Sequence, residues 1–211
     1  MGKAILFDLD GTLWDSSEQV TEAWNLVFER EGVPVRLTGD DMRRLMGRTM
    51  DEIALAVFPE DDRAYRERML DACCREENEY LRLHGAVLYP GLRETLEALA
   101  REHGLFIVSN CQTGYIEAFL EAHDLAPLFR DHECFGRTGR GKAENIRILL
   151  ERQGARDAVY VGDTAGDEAS AAAAGIPFIH AAYGFGKAES PAAVIRRVTE
   201  LPEVLKALEN R

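Results

Sequence analysis

Long apolar runs are missing from this chain: none approaches the roughly 20 residues needed to cross a bilayer, so no membrane-spanning role is expected. Cysteine is scarce. Cys73, Cys74, Cys111 and Cys134 have no C-x-x-C spacing and no histidine at zinc-ligand distance in sequence, which argues against a zinc site or a disulfide framework. Basic residues are the minority, 25 against 37 acidic, and the formal net charge of -12 argues against nucleic acid or an anionic membrane as the main partner. A local cationic pocket for a small anion remains compatible with that balance. The amino-terminal residues lack a basic segment followed by an apolar stretch and a cleavage site, so a cytoplasmic location is expected. Neither an internal repeat nor a low-complexity linker is present.

What the chain does contain is a set of short apolar runs that each end in polar residues. Ala4 to Phe7, Leu105 to Val108 and Ala158 to Val161 read as strands buried on both faces, as inside a parallel sheet. Phe178-Ile179 reads as a last short strand and Glu133 to Phe135 as a weaker one. Between Asp15 and Gly85 the spacing of apolar residues is helical, with Asp15 or Ser16 as a cap for the first helix and breaks at Gly32-Val33-Pro34, near Gly47 and before Asp61. Helical spacing returns over Leu92 to Glu102, Tyr115 to His123, Ala143 to Gln153 and Ala169 to Ala174, and in a tail from Ala192 broken near Pro202. Strands alternating with helices predict an α/β protein with a Rossmann-like parallel sheet and helices on both faces. The helical stretch predicts a four-helix insertion after the first strand, with residues 1–14 and 86–211 forming the core and 15–85 the insertion.

A parallel sheet brings the carboxyl ends of its strands to one edge, where ligands bind. Asp8 and Asp10 follow the first strand, Ser109 and Asn110 the second, Asp163 the third, and Asp167 lies four residues further on. Taken singly, Asp10-Gly11 also suits a reversing turn, and Asp167 suits a helix start. Together, crowded carboxylates repel and call for a cation, and a small number of hard oxygen ligands suits Mg²⁺. Ser109 and Asn110 offer hydrogen bonds to a phosphate oxygen. Lys142 sits at a predicted helix start, where a cation is unfavourable unless an anion accompanies it. Gly136 to Lys142 also fits the G-x-x-x-x-G-K spacing of a nucleotide-binding loop, but Ala143 replaces the hydroxyl that such loops offer to Mg²⁺.

Asp8-Leu9-Asp10-Gly11-Thr12, Ser109-Asn110, Lys142 and Gly162-Asp163-Thr164-Ala165-Gly166-Asp167 resemble, in order, the four motifs of the haloacid dehalogenase-like hydrolases. The resemblance covers the whole chain and is nearest to the phosphoglycolate phosphatase-like branch with a helical cap. It implies phosphoryl transfer through an aspartyl-phosphate, with Asp8 as nucleophile and Asp10 as general acid and base. It also implies Mg²⁺ held by Asp8, the main-chain carbonyl of Asp10 and Asp163, with Asp167 acting through water. Ser109, Asn110 and Lys142 would bind the phosphate, and Arg48, in the turn Gly47-Arg48-Thr49, would select the substrate. An aspartate at position 10 separates the chain from the carbon-attacking dehalogenases. Ala143 departs from the proline that many relatives carry after the lysine. The resulting expectation is a Mg²⁺-dependent phosphatase of a small phosphorylated metabolite, acting as a monomer or weak homodimer. A sugar-phosphate mutase is the alternative on the same fold, and a nucleotide-binding switch is the alternative outside it.

Overall fold

The computed structural model describes residues 2–209. The chain enters β1 (Ala4–Phe7), turns through the first acidic motif, and forms a two-residue strand β2 (Trp14–Asp15). Four helices follow: α1 (Ser17–Glu31), α2 (Gly39–Leu45), α3 (Met50–Val57) and α4 (Arg63–His84). The return strand β3 (Val87–Leu88) pairs antiparallel with β2, so a short ribbon gathers both ends of the helical insertion. The core resumes with α5 (Leu92–Ala100), β4 (Gly104–Ser109), α6 (Tyr115–Ala122), β5 (Phe129–Cys134) and the single turn α7 (Phe135–Thr138). It ends with α8 (Lys142–Gln153), β6 (Ala158–Gly162), α9 (Ala165–Ala174), β7 (Phe178–Ala181), β8 (Ala193–Ile195) and α10 (Leu201–Glu209). Among the described residues, no helix is long and apolar enough to cross a membrane.

Six strands form one sheet in the order β5-β4-β1-β6-β7-β8, and every pairing in it is parallel. Alternation along the strands divides the core in two. Ile5, Phe7, Ile107 and Val161 face a large cluster that continues into Trp14, Trp24 and Phe28 of the insertion side. Leu6, Phe106, Val108 and Tyr160 face the opposite cluster with Ile146 and Leu149 of α8 and Ala171 of α9. Both faces are therefore covered, which is why the strands read as unbroken apolar runs.

The structure differs from the sequence expectations at the sheet margins and in the links. β5 spans Phe129–Cys134, ahead of the expected strand, and Phe135 starts a helical turn instead. This edge strand carries Arg130, Asp131, His132 and Glu133, and Arg152 of α8 pairs with Asp131 at 2.9 Å and with Glu133 at 3.1 Å. Its polar residues are thus satisfied by a neighbour that apolar periodicity does not record. Ala193–Ile195 is the outer strand β8, where helical spacing was expected. Pro202 stands in the first turn of α10, where its missing N–H costs no helical bond. α9 starts at Ala165, earlier than its alanine run, because Thr164 and Asp167 form a capping box. At α1 the cap is split between the two residues expected. Asp15 accepts from the Ser17 backbone N–H at 3.0 Å, while the Ser16 hydroxyl turns to Asp10.

Candidate active site

β1 lies between β4 and β6, with Phe7 level with Ile107 on one side and Val161 on the other. From β1 the chain runs through the insertion to β4 and β5 on one side and then crosses back from β5 to β6 on the other, so the crevice at the carboxyl ends of these strands is a topological switch point. Asp8, Ser109 and Asp163 all reach it and are all buried. Asp163 is able to sit against the β1 turn because two glycines leave room. A Cβ on Gly11, whose φ is +78°, would lie 2.4 Å from Asp163 Oδ2, and one on Gly184 would lie 2.4 Å from Asp163 Cβ.

One oxygen from each of Asp8, Asp163 and Asp167 falls within 4.8 Å of the others. Lys142, the first residue of α8, is buried among them. Its ammonium donates to Asp8 Oδ1 at 2.8 Å and to Asp167 Oδ1 at 2.5 Å. Asp167 Oδ2 accepts from the Asp163 and Thr164 backbone N–H groups and the Thr164 hydroxyl, at 3.2, 3.0 and 2.7 Å, so both of its oxygens are engaged. Asp163 Oδ2 accepts from Phe185 N–H at 2.7 Å and Gly186 N–H at 3.2 Å. Asp8 Oδ2 and Asp163 Oδ1 have no partner although they are buried. Three carboxylates facing one ammonium leave two formal negative charges, the charge of one divalent cation. Two bare carboxylate oxygens in this setting fit such an ion, since buried polar atoms are otherwise paired.

Burial, followed by the neighbouring charge of Asp167, pushes the Asp163 carboxyl up to about 7. Burial and the Asp167 charge also raise Asp8, against the pull of Lys142. Asp10 is raised chiefly by burial. Three donors converge on its Oδ1: Ser16 Oγ at 2.7 Å, Tyr115 OH at 2.8 Å and Trp14 Nε1 at 2.9 Å. That fixes the Asp10 side chain from the insertion hinge and from α6 at once.

Asn110 donates from Nδ2 to the Gly47 carbonyl at 3.0 Å, tying the sheet edge to the turn between α2 and α3. Arg48, next in that turn, lines a cavity with Asp10, Ser109 and Asn110. The same cavity is bounded from the insertion by Trp24, Met42, Met46 and Glu77. The residues singled out in the sequence are therefore brought together in two adjoining groups. Asp8, Lys142, Asp163 and Asp167 form one; Asp10, Ser109, Asn110 and Arg48 border the other. Tyr115, Ser16, Glu77 and the Phe185-Gly186 amides were not anticipated, and among them only the polar Ser16 beside the first motif carried a local signal.

The nucleotide-loop reading of Gly136 to Lys142 is not supported by this geometry. Gly136 to Thr138 are helical, and a Cβ on Gly136 would lie 2.4 Å from Thr113 N, so the first glycine of the match is packed against the loop after β4 and does not open a turn for a phosphate. The Lys142 ammonium points instead into the aspartate cluster.

Fold and site together define a hydrolase built on a parallel α/β sheet with an acidic centre at its switch point. Residues 5–181 match the haloacid dehalogenase-like hydrolase family, and the chain belongs to it. It is 32% identical over 200 residues to a phosphoglycolate phosphatase of Rhodospirillum rubrum, covering 89% of this chain and 82% of that one. It is 30% identical over 202 residues to a phosphoglycolate phosphatase of Aliivibrio fischeri, covering 89% and 87%. Among solved structures, a haloacid dehalogenase superfamily hydrolase of subfamily IA from Geobacter sulfurreducens superposes with a TM-score of 0.73 at 26% identity, covering 96% of both chains. CbbY from Rhodobacter sphaeroides, in complex with phosphate, shares the fold with a TM-score of 0.80 at 22% identity, covering 95% of this chain and 96% of that one.

The raised carboxyls give the metal-free protein a defined pH response. Asp163 binds its proton more tightly in the folded chain than in the unfolded one, so its contribution to stability is present below about pH 4 and is lost as pH rises to about 7. A divalent cation beside Asp163 would offset both the burial and the Asp167 charge that disfavour the ionised carboxyl. Thermal melts with Mg²⁺ or EDTA at pH 5 and pH 8 are expected to show a larger Mg²⁺ gain at pH 8; an equal or larger gain at pH 5 contradicts the site.

Proposed function

We propose that the protein is a Mg²⁺-dependent phosphatase that hydrolyses a small phosphate monoester through an aspartyl-phosphate on Asp8. The observation that carries this reading is the pair of buried, unpartnered oxygens on Asp8 and Asp163 beside a lysine that neutralises only part of the cluster. The relatives named as phosphoglycolate phosphatases support the same class of reaction.

In this reading an Asp8 carboxylate oxygen attacks phosphorus, and the bond from phosphorus to the alcohol oxygen breaks in line. Asp10 delivers its proton to that leaving oxygen. A water then attacks phosphorus, Asp10 takes the proton, and the Asp8 carboxylate is restored as inorganic phosphate leaves. Ser109, Asn110 and Lys142 hold the phosphoryl oxygens, with Lys142 already within hydrogen-bond distance of Asp8. Asp8, the Asp10 carbonyl and Asp163 would hold Mg²⁺, with Asp167 acting indirectly, and the ion would supply positive charge for the transferring phosphoryl group. The engaged state of both Asp167 oxygens suits the indirect role. Residues 15–85 act as a cap that shields this chemistry from water, and Arg48 contacts the substrate from the turn above Asn110.

The three donors on Asp10 Oδ1 leave its other oxygen to carry the proton, which makes Tyr115 a positioning residue. Phosphate release from a panel of monoesters is expected to require Mg²⁺ and to be lost in Asp8→Asn, by about 10³-fold or more. Release unaffected by EDTA or by Asp8→Asn contradicts the proposal. Tyr115→Phe is expected to lower kcat about tenfold for alkyl phosphates, whose leaving group needs a proton, and far less for p-nitrophenyl phosphate. Equal losses on both esters would mean that Tyr115 only supports the fold.

A further inference from the structure

Glu77 is a carboxylate that the proposed chemistry does not use. It lies on α4, is 4% exposed, and borders the cavity that also holds Asp10 and Ser109. Its Oε2 accepts from Trp24 Nε1 at 2.6 Å, and its Oε1 accepts from Gln112 Nε2 at 3.2 Å. Among the described residues it makes no ion pair within 4.0 Å, unlike Glu133, the other buried glutamate, which is paired with Arg152. A buried glutamate with no cation is costly, and a fold that needed only packing at this point would be served by an apolar residue. Both of its partners are obligate donors as they stand, an indole N–H and an amide N–H, so they hold it as an acceptor. Each carboxylate oxygen has capacity for a further hydrogen bond.

Position decides what that acceptor faces. The turn carrying Arg48 is held over the phosphate end of the cavity, because Gly47 is bonded to Asn110 and a Cβ on Gly47 would lie 3.5 Å from Thr164. Gln112, which contacts Glu77, lies beyond Asn110 along the loop after β4 and is further bonded to Asn78 of α4 at 3.0 Å. Arg48 therefore adjoins the phosphoryl end, and Glu77 adjoins the space left for the alcohol half of the ester. Around Glu77 the insertion offers Trp24, Met42 and Met46, and among the described residues the one cation lining the cavity is Arg48, on the turn held to Asn110 at the phosphoryl end.

We infer that Glu77 selects phosphate monoesters whose alcohol half carries a hydrogen-bond donor, a hydroxyl or an ammonium, and rejects those that end in a carboxylate. This inference rests on the phosphatase reading above and gives it a substrate class. It sets the chain apart in specificity from relatives whose names denote the carboxylate ester phosphoglycolate. The physical basis is the repulsion of two carboxylates in a water-poor cavity against the gain of one charge-assisted hydrogen bond.

The test is a two-carbon series, assayed with Mg²⁺ at pH 8: 2-hydroxyethyl phosphate, phosphoethanolamine, ethyl phosphate and phosphoglycolate, with p-nitrophenyl phosphate as the general reporter. For the wild type, kcat/KM is expected to be at least about tenfold higher for the better of the two donor esters than for phosphoglycolate, with ethyl phosphate between them. Which donor ester leads tells hydroxyl from ammonium recognition. Glu77→Gln is expected to narrow the gap by about tenfold or more, read as the ratio of donor ester to phosphoglycolate within each protein. A wild type that prefers phosphoglycolate overturns the inference and leaves the phosphatase reading intact, as does a folded Glu77→Gln that changes all esters by one common factor. The wild-type order stands as a test by itself if the variant does not fold. Absence of release from every ester, including the reporter, overturns the phosphatase reading and this inference with it.

Discussion

The ammonium of Lys142, wedged between Asp8 and Asp167, is the interaction on which the site depends. Three carboxylates from two strand ends and a helix start would repel one another at these distances, and burial raises the carboxyls of Asp8 and Asp163. The lysine binds two of them directly, yet it neutralises only one charge. What remains is a partly compensated anionic centre with two bare oxygens, held rigidly by backbone N–H groups and by two glycines that allow close approach. Removing one partner from such a buried set typically costs about 3–5 kcal/mol, because the remaining charge is stranded. The arrangement leaves a charge that one divalent cation would balance.

The parallel sheet serves that centre by bringing distant segments together. Asp8 and Lys142 are 134 residues apart in sequence, yet they lie in direct contact because β1 is central and α8 starts at the same edge. The helical insertion closes the opposite side. It is attached through a two-strand ribbon, through Asn110 and the Gly47 carbonyl, and through Arg82 of α4, which pairs with Glu121 of α6 at 2.6 Å. Asp10 stands where these attachments meet. Its hydrogen bonds to Trp14, Ser16 and Tyr115 link the hinge, the first helix of the insertion and the core on a single carboxylate oxygen.

The central strands were legible in the sequence because burial on both faces leaves an unbroken apolar run, as in Ala4–Phe7 and Gly104–Ser109. The margins were not. Phe129–Cys134 hides its strand character behind charges that α8 satisfies, and Ala193–Ile195 is too short to show a period. Asp8 and Asp163 were legible because each directly follows a buried strand, whereas Asp10 and Asp167, which singly also suit a turn and a helix start, gained weight from standing beside them. Lys142 was legible as an unfavourable charge at a helix start. Tyr115 and Glu77 were not, since each looks like an ordinary helical residue until tertiary contact sets it against Asp10 or into the cavity. The G-x-x-x-x-G-K match, already discounted for its missing hydroxyl at Ala143, shows the same limit: spacing alone does not report that its first glycine is packed in a helical turn.

The central claim is that Asp8 becomes phosphorylated. Rapid acid quenching of the protein during turnover of a phosphorus-labelled monoester, followed by peptide mapping, tests it most directly. An acid-stable phosphate on the peptide containing Asp8, chased by unlabelled ester, is the expected result. Turnover with no covalent phosphate at any quench time, or a phosphate carried elsewhere in the chain, would contradict the account.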